Sequence, residues 1–101
     1  MKASKIILGC ANLGKKYGIR DKSLKINEFK KIYKFALKKK IFYFDTAADY
    51  GNSEKLLGQI KSSGNKKTFF ITKLPKKKYS NFSKEIEISI RNSLSRLNKK
   101  N

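Results

Sequence analysis

The chain has 101 residues, 39% of them hydrophobic, which suits one small domain, or a piece of one, with a modest core. No apolar run approaches the roughly 20 residues needed to cross a bilayer, and one cysteine (Cys10) with no histidine rules out an internal disulfide and leaves no expected metal site. The formal net charge of +19 points toward a polyanion, yet only Arg20, Arg91 and Arg96 of the 26 basic residues are arginine, and the lysines are spread through every segment as on a solvated surface. Met1-Lys2-Ala3-Ser4-Lys5 leads straight into an apolar segment and does not resemble a secretory leader, so a soluble cytoplasmic protein with no membrane partner is expected.

Lys5-Ile6-Ile7-Leu8, ended by Gly9, is the first predicted strand. Asn27, read as an N-cap, and Glu28 open a helix whose apolar face is Phe29, Ile32, Tyr33, Ala36 and Leu37 and which ends near Lys40. Ile41-Phe42-Tyr43-Phe44 is the second strand. A short helix follows, capped by Asn52 or Ser53, carrying Leu56, Leu57 and Ile60 and closed by the turn Ser62-Ser63-Gly64-Asn65. Thr68-Phe69-Phe70-Ile71-Thr72 is the third strand, and after Pro75 and a triple lysine a last helix begins near Ser83 with the stripe Ile86, Ile90, Leu94 and Leu97. None of the strands alternates in polarity, so each reads as buried on both faces, and the βαβαβα order predicts an α/β fold with a parallel sheet.

In that arrangement Asp45 directly follows the second strand and Lys73 the third, which places a carboxylate and an ammonium at one sheet edge, with neighbouring strands about 4.8 Å apart. Tyr50 lies on the loop leading into the second helix and can fold back over the same edge. A phenol has an ordinary pKa of about 10; a neighbouring ammonium stabilises the phenolate and makes the group a usable general acid. Asp45 in turn keeps a strand-end lysine charged. Each residue also has a purely structural alternative: an Asp that caps a turn, a Tyr-Gly turn with its ring at the rim, and a lysine that reaches solvent. Gly51 serves the turn after Tyr50, and Gly58 within a short helix signals close packing.

The segment Phe44-Asp45-Thr46-Ala47-Ala48-Asp49-Tyr50-Gly51-Asn52-Ser53-Glu54 with Leu57-Gly58 resembles the signature of the aldo-keto reductases. Ile7-Leu8-Gly9-Cys10-Ala11-Asn12-Leu13-Gly14 with Tyr17-Gly18 is similar to that family's opening strand and loop, and Phe70-Ile71-Thr72-Lys73 to its third strand. The resemblance implies a TIM (β/α)8 barrel that binds NADPH, or NADH, and reduces an aldehyde or ketone. It makes Tyr50 the general acid, Lys73 the group that eases loss of its proton, and Asp45 the partner of Lys73. It also places Gly9, Cys10 and Ala11 beside the nicotinamide, although Cys10 reads equally well as a small buried residue.

Such a barrel needs roughly 250 residues, so residues 1–101 are expected to form an incomplete, amino-terminal part of the domain, about three of eight β/α units. The family's fourth catalytic group, a histidine after the next strand, has no counterpart in a chain without histidine. The isolated chain is therefore expected to be weak or inert. The alternative reading is a small basic protein that binds nucleic acid or another polyanion; against the resemblance, no specific nucleic-acid partner is expected. Substrate, coenzyme preference, pathway and oligomeric state are not legible in these residues.

Overall fold

The computed structural model describes residues 5–14, 25–62 and 68–99. Tyr17-Gly18 of the opening motif and Ser63-Gly64-Asn65 of the expected turn lie outside the described residues. Three strands, β1 (Ile7–Gly9), β2 (Tyr43–Asp45) and β3 (Phe69–Ile71), form a parallel sheet in the order β1-β2-β3. Ile7 pairs with Tyr43 and Tyr43 with Phe69, so equivalent positions line up across the sheet. The helices are α1 (Ala11–Gly14), α2 (Ile26–Lys38), α3 (Ser53–Ser62) and α4 (Phe82–Arg96). The first of these is a single turn inside the β1–α2 connection, too short for a periodic pattern to announce it.

Alternation along a strand sorts the sheet into two faces. Leu8, Phe44 and Phe70 point into the helical layer, where Phe44 is fully buried with its ring centroid 4.9 Å from that of Tyr33 and 6.2 Å from that of Phe70. The core continues through Leu13, Phe29, Leu57 and Leu97. On the opposite face Ile7, Tyr43, Phe69 and Ile71 are 37–51% exposed, with Tyr43 and Phe69 stacked at 5.0 Å. The expectation that both faces are buried is therefore corrected: among the described residues only the helix side is covered. The uniformly apolar strands serve one packed face and one open one.

The helices follow the predicted order with shifted ends and, in one case, a rotated face. Lys25, not Asn27, is the N-cap of α2, with no side-chain capping bond, because the carbonyl of Lys25 already accepts the N–H of Phe29 at 3.0 Å. Phe29, Tyr33 and Ala36 are buried as expected, but Ile32 is exposed. The helix closes with the N–H of Ile41 donating to Ala36 O and that of Lys40 to Leu37 O, while Lys40 takes the left-handed φ of 63°. This is a Schellman ending in which a lysine occupies the position glycine usually takes.

In α4 the buried line is Ser89, Ser93 and Leu97, not Ile86, Ile90 and Leu94; Ile90 is exposed. Gly58 of α3 admits the end of α4: an added Cβ there would fall on the carbonyl oxygen of Arg96 and within 3.1 Å of the Leu97 backbone. Ser89 and Ser93 lie on the buried side of α4 and Ile88 and Ile90 on its exposed side, with Ile86 half-buried between them.

Candidate active site at the carboxyl edge of the sheet

The sheet's hydrogen bonding runs past its formal strands at the carboxyl edge. The N–H of Cys10 donates to Asp45 O at 2.8 Å, that of Thr46 to Ile71 O at 2.7 Å, and that of Ala48 to Lys73 O at 3.0 Å. These bonds hold the three strand-end loops together. Asp45, last residue of β2, stands in register with Gly9 and Ile71 on the open side of the sheet.

Lys73 Nζ donates to both oxygens of the Asp45 carboxylate, at 2.9 Å to Oδ2 and 3.1 Å to Oδ1. The same nitrogen lies 5.1 Å from the centre of the Tyr50 ring. Tyr50 is placed by a tight turn: its N–H donates to Ala47 O, the N–H of Ser53 donates to its carbonyl, and Gly51 supplies a φ of 51° between them. The three residues singled out in the sequence thus meet at one point.

The pair is more open than expected of a lysine ending an apolar strand, with side chains 48% and 35% exposed for Lys73 and Asp45. The hydrogen bond to Asp45, seconded by the Tyr50 phenol, holds the Lys73 amine above the ordinary lysine value, against a weaker opposing effect of desolvation. A raised amine contributes stability below the unfolded lysine pKa of about 10.4, and that contribution is lost as pH rises through the higher folded value. Solvent screening keeps it below about 1 kcal/mol. The pair therefore matters for where it puts a charge.

Beside it Gly9, Cys10, Ala11, Asn12, Asp45 and Tyr50 line a cleft of about 300 Å³. A Cβ built on Gly9 would meet nothing within 4 Å, so the backbone there is open to close approach by a flat ligand. The volume is at the lower end of the roughly 300–1,000 Å³ usual for small-molecule sites; it fits one ring system and not a whole dinucleotide. Cys10 faces away, 2% exposed, its thiol donating to Leu8 O at 3.6 Å. Burial, and after it the Asp45 carboxylate, pushes the thiol up to about 12.

Cys10 is accordingly expected to resist dithionitrobenzoate at pH 8 in the native chain and to react fully in urea. Stability should decline above about pH 8.5, where the unfolded thiol ionises and the folded one does not. Rapid native labelling would show that this corner opens.

Several residues that build the site lie inside the quoted motifs without a catalytic role assigned to them. The Thr46 hydroxyl donates to Ser53 Oγ at 2.7 Å, and Ser53 Oγ donates to Cys10 O at 3.0 Å, a buried chain joining the loops after β1 and β2. Asp49 Oδ2 accepts the Lys76 N–H at 2.7 Å and tethers the loop after β3. Glu54, in the first turn of α3, accepts from Thr72 Oγ1 at 2.6 Å and from Arg96 Nε at 2.7 Å. The sequence signal for Thr46, Asp49, Ser53, Glu54 and Thr72 was their place inside the quoted motifs, which gave them no role of their own. Among the described residues no His, Cys, Asp and Glu group could hold a metal ion, and no helix is long and apolar enough to cross a membrane.

Known structures share this architecture. Two Pseudomonas aeruginosa structures assigned as aldo-keto reductases superpose with TM-scores of 0.78 and 0.76, each at 24% identity over 96% of this chain. The holo form of an aldo-keto reductase from Bacillus halodurans superposes with a TM-score of 0.70 at 20% identity, also over 96%. The chain spans 39%, 38% and 33% of the length of these three, so its parallel sheet and helices correspond to part of their TIM barrel. No curated protein matches the sequence. The profile of the aldo/keto reductase family, however, matches residues 5–101, and with a carboxylate, an ammonium and a phenol gathered at the carboxyl ends of parallel strands, the chain belongs to that family.

Proposed function

We propose that residues 1–101 supply the proton-donating half of an NAD(P)H-dependent carbonyl reductase, with NADPH or NADH as hydride donor and an aldehyde or ketone as substrate. The observation that carries this reading is the Lys73 ammonium, held by both oxygens of Asp45 and lying 5.1 Å from the Tyr50 ring centre. Tyr50 gives its proton to the carbonyl oxygen as that oxygen gains negative charge. Lys73 stabilises the charge left on the phenol oxygen. Asp45 keeps Lys73 protonated and fixes its direction, so the ammonium does not have to reorganise as the proton moves.

The open backbone at Gly9, with Cys10 and Ala11, would hold the nicotinamide end of the cofactor against this group. Bound there, the cofactor supplies the hydride that reaches the carbonyl carbon. The contacts to its phosphates are not assigned to any described residue. Among these residues the apolar face of Ile7, Tyr43, Phe69 and Ile71 is uncovered, and on this reading the 101-residue chain is weak or inert on its own and acts as part of a closed barrel.

The test is NADPH oxidation followed at 340 nm with a panel of aldehydes and ketones. It uses the chain alone and the chain joined to the later β/α units of a family member. Carbonyl-dependent oxidation by the joined protein, with little by the chain alone, is expected. Absence of both NADPH binding and oxidation in the joined protein would end the proposal.

A further inference from the structure

Glu54 is a carboxylate only 1% exposed, held between two other elements of the fold. Oε1 accepts from Arg96 on α4 and Oε2 from the hydroxyl of Thr72, the residue between the end of β3 and Lys73. A buried ion pair is weak evidence for stability, since desolvation offsets much of its attraction. Geometry gives it a use. Side chains in an extended segment alternate between faces; Thr72 is held toward the helical layer, while Ile71 and Lys73 on either side of it are exposed.

We infer that Glu54 is a positioning residue for Lys73: by gripping Thr72 on the helix side, it directs the Lys73 ammonium to the open side, where Asp45 receives it. Glu54 also lies four residues after Tyr50, on the helix that the Tyr50 turn leads into. One carboxylate thus ties the element carrying the phenol to the element carrying the ammonium. Arg96 holds that carboxylate from the far side, its Nε donating to Oε1 at 2.7 Å. The groups facing Lys73 are Asp45 on β2 and Tyr50 in the loop after it. The inference rests on the proposed pairing of Lys73 with Tyr50.

Thr72→Val removes the hydroxyl at nearly constant shape, and Thr72→Ser keeps it; both are gentler than Glu54→Gln, which leaves Arg96 without its charge partner. The readout is the NMR titration of the Lys73 side chain in the 101-residue chain, with Tm measured alongside. Wild type and Thr72→Ser should titrate together, above the ordinary lysine value. Thr72→Val should titrate measurably lower, toward the ordinary lysine value, at nearly unchanged Tm. Coincident titration of all three proteins overturns the inference. So does a Thr72→Val protein that unfolds, or a Thr72→Ser protein that falls with it, since the hydroxyl would then serve stability alone. NADPH oxidation decides the reductase reading separately and does not enter this titration, so the two failures are distinguishable.

Discussion

Tyr50→Phe is expected to lower carbonyl reduction by about 10²–10⁴-fold, the usual worth of a positioned general acid, in a protein that carries this chain within a closed barrel. The substitution is informative because of what it preserves. Lys73 Nζ lies 5.1 Å from the Tyr50 ring centre, and phenylalanine keeps a ring there for the ammonium to rest against. The Gly51 turn and the bidentate Lys73–Asp45 pair need no phenol oxygen either. NADPH affinity should therefore hold within a few-fold while kcat falls. A variant that keeps most of its kcat would show that the proton comes from another group, water included, and would remove Tyr50 from the reaction.

Gly58→Ala is expected to destabilise the fold by about 2 kcal/mol, against the sign that helix propensity alone predicts. In an exposed helix the change would stabilise by about 1 kcal/mol. Here the new methyl group meets backbone: the carbonyl oxygen of Arg96 and, at 3.0 Å and 3.1 Å, the carbonyl carbon and Cα of Leu97. Backbone cannot rotate aside as a side chain can, so α4 must move off α3. That shift would disturb Leu97 in the core, the Arg96–Glu54 pair and the bond from Lys61 Nζ to Asn98 O at 3.0 Å. Urea unfolding should show a lower midpoint at an unchanged slope. A midpoint equal to or above wild type would mean that the two helices are not in this close contact.

Both predictions concern residues already visible in the sequence, and the reason is the same in each case. Asp45 and Lys73 follow strand ends in a β/α alternation, and parallel strands bring successive ends to one edge, so chain order places those two together and lets the nearby Tyr50 fold back over them. Gly58 inside an otherwise good helix pattern signals close approach, although not to which element. Other features depend on distances between elements, which chain order does not carry. The isoleucines of α4 suggest its inward stripe, yet the residues it buries are Ser89 and Ser93, with Leu97 at its end. Cys10 reads equally as a small buried residue or as a cofactor neighbour; it is 2% exposed and also lines the cleft, which only the packing reveals.

What the residues by themselves determined was the βαβαβα order, the parallel sheet and the identity of the three polar groups at its edge. Apolar runs, helix periodicity and strand-end placement are local properties of the chain. Only the tertiary structure decided which sheet face is covered, how α4 is turned, and that Glu54 joins Thr72 and Arg96 across 18 and 42 residues of sequence. Those outcomes depend on how closely elements far apart in the chain can pack, and on the need of a buried carboxylate for partners.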